Sequence, residues 1–368
     1  MSQVIAFCPA AAIFLENRIL NKNFAKKYPG ALWVAELQSL TKETQFEVVT
    51  GDIAIAKIEA RTWSPSDVLV IQEENSSIGL ELIGLGAKLF LQVCFESPLY
   101  ARAFYANLGS KSAFYKNRIL FRGAFPSTSK AGINHTLYFP SYSLDEFSQD
   151  IEWSNRRFVV MVAGNKYWNH SRSFLRYYVA KLRNILMRRK SYLTNEIKQW
   201  QLHDKRLELI EYFGKKQGFD LFGGNWNDIS NLPKVWRRRL EKIIDDLNPT
   251  TCDDKNEILL NYKFAICLEN MAYPGYVTEK IIDCFKAGVI PIYLGAPDIY
   301  DFVPSDAFID LREYENCDGL YEYLSEISED DAMDIIQKGR SFLSSSAGHE
   351  FSYEAFAKHV IDMANQHG

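Results

Sequence analysis

The sequence is poor in the features that mark membrane-spanning, disulfide-stapled or metal-dependent proteins. No stretch approaches the roughly 18–20 apolar residues needed to cross a bilayer. The apolar opening MSQVIAFCPAAAIF has no basic n-region and is interrupted by Pro9, so it reads as a first strand rather than a signal peptide. Cys8, Cys94, Cys252, Cys267, Cys284 and Cys317 form no CxxC pair and mostly sit inside apolar runs. That usage fits buried free thiols in a reducing compartment. No metal-ligand spacing occurs, and Asp245-Asp246 and Asp253-Asp254 fall in polar turn or helix-end contexts, so no metal centre is expected. Internal repeats and low-complexity segments are also missing, and with only 12 prolines the chain has no Pro-rich linker.

What is present is enough for two ordinary domains: 368 residues, 47% of them hydrophobic, can bury two separate cores. The net charge of −4 hides an asymmetry. From Ile151 to Lys242 the chain carries 20 Lys/Arg against 8 Asp/Glu. A basic middle suits an anionic ligand, and its densest parts, 181–190 and 234–242, suit peripheral contact with an anionic membrane face. The acidic remainder and the lack of a recognition motif argue against nucleic acid.

Apolar runs at Val4–Phe7, Phe46–Thr50, Asp67–Gln72 and Ala87–Phe95 read as strands, with helices expected at Phe14–Tyr28 and Ser76–Gly86. The turn-rich stretch HTLYFPSYSLDEFSQD places a boundary near residue 150. The expected organisation is 1–150, 151–345, and a final helix in 346–368 that packs back toward the first domain. The second domain opens with the strand Arg157–Gly164, followed by Asn165. Ser191–Lys216 reads as an inserted charged helix, Phe219–Phe222 as a strand, and Tyr314–Ser344 as amphipathic and acidic. Strands alternating with helices predict α/β class, with parallel sheets covered on both faces.

The richest stretch runs from Tyr262 to Asp310. Phe264–Leu268 is a buried strand ending in Glu269-Asn270, and a loop with Pro274 and Gly275 leads to Thr278, a helix-cap residue type. Val277, Ile281, Cys284, Phe285 and Gly288 keep helical spacing, and the strand Val289–Leu294 runs into Gly295. This is a βαβ unit. Glu279 and Lys280 fall in its first helical turn, where free N–H groups and the helix dipole favour anions. Lys280 suits a phosphate, and Glu279 suits a neutral diol such as a ribose. Earlier in the chain, Glu96 follows a buried strand at its carboxyl end, with Ser97 as N-cap and Pro98 opening the next helix. A carboxylate held there can serve as a general base for a sugar hydroxyl.

The words YKFAICLEN, GYVTEKIID and AGVIPIYLG, followed by FID, resemble the donor-site block of the α-1,3/1,4-fucosyltransferases, glycosyltransferase family 10. FESP resembles the acceptor-side word of the same family, which ends in ESP. The resemblance implies the GT-B fold, two Rossmann-like domains facing across a cleft, and an enzyme that transfers L-fucose from GDP-β-L-fucose with inversion. The acceptor implied is a GlcNAc or glucose hydroxyl of a lactosamine- or lactose-type glycan, in α-1,3 or α-1,4 linkage. Acceptor selectivity is expected in loops such as Thr62–Pro65 and Asn107–Lys116.

By the same resemblance Asn270, Tyr276, Glu279 and Lys280 hold GDP-fucose, joined by either Arg172 or Arg176 at the diphosphate. Asn165, Glu269 and Gly295 belong to the surrounding motifs, and Glu96 is the base. No metal cofactor is implied. Animal members carry a signal anchor that is not seen here, so a bacterial-type form is expected, cytoplasmic and peripheral at most on the inner membrane face. Two alternatives stay open: another inverting transferase using a different nucleotide sugar, and a non-catalytic glycan-binding relative.

Overall fold

Strands buried on both faces need near-continuous apolar sequence, and the first strand, β1 (Gln3–Cys8), shows how this is met. Ile5 and Phe7 enter a core that also holds Trp33, Leu37, Val48, Leu69 and Ile71. Val4, Ala6 and Cys8 face a second core with Val49, Ala54, Val68, Val70 and Leu82. The structure, a computed structural model, describes residues 3–28, 30–42, 44–74, 76–97, 99–101, 104, 117–121, 135–144, 152–167, 200–251 and 254–366. The chain divides into two units. One takes its described residues from Met1–Leu144 and Glu350–Gly368, the other from Asp145–Tyr178 and Glu196–His349.

In the first unit β1 is joined by β2 (Phe46–Thr50), β3 (Val68–Glu73), β4 (Lys88–Val93), β5 (Asn117–Phe121) and β6 (His135–Leu137). All pair in parallel in the order β2-β1-β3-β4-β5-β6. The order reverses between β1 and β3, the switch point beyond which open α/β sheets bind ligands. Helices Leu32–Thr41, Gly51–Glu59 and Ser77–Gly84 cover the sheet. The final helix, Tyr353–Asn365, is capped by Ser352, whose hydroxyl accepts the Ala355 N–H. It lays Phe356, Val360 and Ile361 into the core around Trp33.

The expected helix Phe14–Tyr28 does not form. In its place are 3₁₀ turns at Ala12–Phe14 and Arg18–Leu20 and a four-residue helix, Lys22–Ala25. Glu16 and Asn17 are left-handed, at φ 58° and 57°. Asn17 trades hydrogen bonds with Thr50: its Oδ1 accepts the Thr50 N–H at 2.7 Å, and its own N–H reaches Thr50 Oγ1 at 3.0 Å. This contact between distant residues overrides local helical spacing. The helices Leu32–Thr41 and Gly51–Glu59 were not foreseen.

The second unit holds β7 (Arg157–Val162), β8 (Phe219–Phe222), β9 (Tyr262–Leu268), β10 (Ile290–Leu294) and β11 (Ile309–Asp310). They pair in parallel in the order β11-β10-β9-β7-β8, reversing between β7 and β9. Phe264, Ile266 and Leu268 of β9 pack with Ile290 and Ile292 of β10, and with Leu207, Ile210 and Phe213 of the helix His203–Phe213. That helix is shorter than the expected Ser191–Lys216, of which 191–199 lies outside the described residues. The acidic stretch Tyr314–Ser344 holds two helices, Cys317–Glu326 and Glu329–Leu343. Among the described residues no helix is long and apolar enough to cross a membrane.

Phe356 tests how far the first unit depends on its last helix. Its ring lies 4.7 Å from Trp33 and 5.5 Å from Phe95, and the residue is 2% exposed. Phe356→Ala is expected to destabilise the protein by about 3–5 kcal/mol, read from the urea midpoint of unfolding followed by Trp fluorescence.

Candidate active site

The site in the second unit is built from β9 outward. Its last apolar residue, Leu268, is followed by Glu269, wholly buried at 0% exposure. A buried carboxylate must be matched by hydrogen bonds and a cation. Oε1 of Glu269 accepts the Thr278 N–H and the Thr278 hydroxyl, each at 2.9 Å. Oε2 lies 2.9 Å from the same hydroxyl and accepts from Lys280 Nζ at 2.8 Å. Thr278 occupies the N-cap position of the helix Glu279–Ala287, as expected, but its hydroxyl does not cap. It is turned to Glu269 and accepts a 2.8 Å bond from Lys280 Nζ.

Glu279 and Lys280 thus share the first turn, with Lys280 Nζ 3.7 Å from Glu279 Oε1. Burial alone would raise the Glu279 carboxyl, but Lys280 and then Lys255 hold it below its ordinary value. Burial alone would lower the Lys280 ammonium, and the Glu269 and Glu279 carboxylates instead raise it. Both groups are therefore charged, at the positive end of a helix. Lys255 pairs with Asp283 one turn further on, Nζ to Oδ2 at 2.9 Å. The helix ends at Gly288, whose φ of 60° is the left-handed C-cap expected from its position.

Gly295 follows β10 and presses against the same carboxylate. A Cβ there would lie 2.3 Å from the Tyr293 hydroxyl and 2.5 Å from Glu269 Cγ, so no larger residue fits without moving Glu269.

Asn270 and Tyr276 bracket the loop between β9 and the helix. Asn270 is partly exposed. Tyr276 is buried, with its N–H on the Tyr273 carbonyl at 3.0 Å. Asp298 holds the loop by accepting the Gly275 N–H at 2.8 Å. The stretch before the helix His203–Phe213 braces the other side: Ala272 donates to the Trp200 carbonyl at 2.6 Å, and Leu202 to the Asn270 carbonyl at 3.2 Å.

Arg206 on that helix is buried, and its Nη2 lies 3.4 Å from Asn270 Oδ1. The sequence reading missed this cation because the charged run around it reads as a solvated helix. A signal was available in the apolar neighbours Leu207, Leu209 and Ile210. Arg172 and Arg176 lie outside the described residues. Asn165 is buried, and its side chain binds the Asn225 carbonyl at 3.2 Å and Asn231 Oδ1 at 3.0 Å. It knits the loop after β8, a positioning role.

Glu96 lies in the first unit, beyond the end of β4, and is exposed. With Glu73, Glu74, Trp33, Phe95 and Phe139 it lines a cavity of about 170 Å³. Glu73 ends β3, and its Oε2 accepts the Ala10 N–H at 2.8 Å across the switch point between β1 and β3. Glu74 is left-handed at φ 48° and is fixed by its N–H to Val93 at 2.8 Å and its carbonyl to Gln92 Nε2 at 2.6 Å. Burial, then Glu73 and Glu96, push its carboxyl up to about 7. Aromatic walls with carboxylate acceptors match the two faces of a sugar, apolar C–H and polar hydroxyl. The carbonyl of Ser97 accepts the Tyr100 and Ala101 N–H groups at 3.0 Å, but its buried hydroxyl makes no capping bond, and Pro98 lies outside the described residues. Of the loops expected to face the acceptor, Thr62–Pro65 is at the surface and Asn107–Lys116 is outside the described residues. Among the described residues no group of three or more His, Cys, Asp or Glu is placed to hold a metal ion.

Residues 186–334, which contain the whole β9–helix–β10 arrangement, match the family model of glycosyltransferase family 10 (fucosyltransferase), C-terminal part. An α-(1,3)-fucosyltransferase of Helicobacter pylori is 44% identical over 72 residues, 19% of this chain and 15% of the relative. An α-(1,4)-fucosyltransferase of Arabidopsis thaliana is 37% identical over 70 residues, 19% of this chain and 18% of the relative. The matches thus span less than a fifth of the length of these relatives. A crystal structure of an α1,3-fucosyltransferase with GDP superposes with a TM-score of 0.52 at 15% identity, covering 99% of this chain and 89% of that one. This likeness fixes the fold class as GT-B, with two parallel-sheet α/β units.

The raised Glu74 carboxyl gives a pH signature. Its ionised form is disfavoured in the folded state, so stability falls as pH rises from the ordinary carboxyl value of 4.5 through about 7. Glu74→Gln removes that cost. The variant is expected to match the parent near pH 4 and to exceed it at pH 8 by on the order of 2 kcal/mol, checked by urea unfolding at both pH values.

Proposed function

We propose, on the premise that residues 186–334 belong to glycosyltransferase family 10, that this chain transfers L-fucose from GDP-β-L-fucose to a hydroxyl of an oligosaccharide, inverting the anomeric centre. The observation that carries the reading is the pairing of ionised Glu279 with Lys280 at the amino end of the helix after β9. This pairing offers a diol acceptor and a phosphate donor within one turn.

Asn270 and Tyr276, in the loop that Asp298 and Trp200 brace, hold the nucleotide, and Glu279 accepts from its ribose. Lys280 and the helix N–H groups meet the diphosphate. Arg206 adds a cation beside Asn270, in addition to Arg172 or Arg176, which the family resemblance places at the diphosphate. As the bond from the anomeric carbon to the phosphate oxygen breaks, negative charge grows on GDP, and these fixed cations stabilise it without reorganisation.

Glu96 takes the proton from the acceptor hydroxyl while its oxygen attacks from the opposite face. Glu73 and Glu74 line the same cavity beside it. The acceptor is a GlcNAc or glucose unit, in α-1,3 or α-1,4 linkage. The protein acts in the cytoplasm, with the exposed Lys234 and Arg238 of the helix Lys234–Leu247 meeting an anionic inner membrane face.

Incubation with GDP-fucose and a panel of small acceptors, followed by analysis of the product linkage, tests the reading. No transfer to any acceptor, or a thermal shift with UDP but not with GDP, sinks it. Glu96→Gln is expected to lower transfer about 10²–10⁴-fold with GDP affinity unchanged. Lys280→Ala and Arg206→Met are each expected to weaken GDP binding itself, measured by calorimetry.

A further inference from the structure

An ammonium group has three N–H donors, and among the described residues the bonds Lys280 makes leave one of them unassigned. One donor goes to Glu269 Oε2 and one to Thr278 Oγ1, both at 2.8 Å. The Glu279 oxygen, 3.7 Å away, is beyond hydrogen-bond reach. Glu269 is held against Lys280: it is sealed from solvent and locked by both polar groups of Thr278. The cation that faces the nucleotide is therefore permanently shared with a buried anion. That anion contributes repulsion toward any diphosphate Lys280 holds.

We propose that Glu269 is a positioning residue that aims Lys280 at the diphosphate and limits how tightly the departing GDP is retained, so that product release stays fast. The inference rests on the fucosyl-transfer reading for the identity of the product. Once GDP leaves, Lys280 remains compensated by Glu269, so the empty site carries no unpaired buried charge.

A purely structural role and this one move GDP affinity in opposite directions. Glu269→Gln keeps the shape and, with its amide oxygen in the Oε1 place, the bonds to Thr278, while removing the negative charge and the Lys280 acceptor, which frees that cation for the diphosphate. In the full-length variant the calorimetric dissociation constant for GDP is expected to fall about tenfold, and the GDP dissociation rate measured by stopped flow is expected to fall with it. Unchanged or weakened GDP binding in a folded Glu269→Gln protein overturns the proposal. Thr278→Val provides a second arm that keeps the buried charge. With the bridging hydroxyl gone, Lys280 is drawn more fully onto Glu269, and GDP binding is expected to weaken about threefold; an affinity equal to the parent's overturns the proposal there. A parent protein that binds no GDP at all defeats the functional reading, and this inference with it.

Discussion

A carboxylate without water is the constraint on which the second unit depends. Glu269 follows the buried apolar run Phe264–Leu268, in a place where an unmatched polar group would be costly. Its partners are consequently fixed. Thr278 gives it a backbone and a side-chain donor, Lys280 gives it a cation, and Gly295 leaves its methylenes the space that a side chain there would take. Lys280 belongs as well to the proposed donor surface. Stability and ligand geometry therefore come from one set of contacts, and the cation reaches its place by being needed inside the protein as well as at its edge.

The two units solve the same problem with different chemistry. In each, an all-parallel sheet reverses its strand order beside the first strand of the unit, and the polar residues gather just past the carboxyl ends at that reversal. In the second unit the gathered charges are mixed and the helix start adds positive potential. In the first they are carboxylates of one sign beside aromatic rings, which raises their proton affinity. One edge suits a nucleotide with an anionic leaving group, the other a neutral polyol that has to lose a proton.

The second unit's site was largely legible in the sequence because its elements are short, contiguous and locally consistent. The run Phe264–Leu268, the helical spacing from Val277 to Phe285 and the glycine at 288 each specify their element without help from distant residues. Where distant residues decided the outcome, the sequence misled. Helical spacing around Asn17 yields to its exchange with Thr50. Thr278 has the residue type of a cap, but a buried anion eleven residues before Lys280 claims its hydroxyl. Arg206 was passed over for the same reason. Nothing local distinguishes an arginine on a solvated helix from one turned inward toward Asn270, 64 positions further along. The crowding of Glu73 and Glu74 around Glu96 was likewise invisible, since it joins the ends of two strands through the sheet.

The dependence of the first unit on Phe356 and its neighbours has a consequence for biosynthesis. The core around Trp33 takes side chains from the beginning of the chain and from its last helix, with the whole second unit synthesised in between. A nascent chain emerging from the ribosome cannot complete that core until residues 353–364 have been added. The second unit, whose two segments 145–178 and 196–349 both precede that helix, is free to fold earlier. During that interval Trp33 and Phe95 lack the Phe356 ring that packs on both in the finished fold.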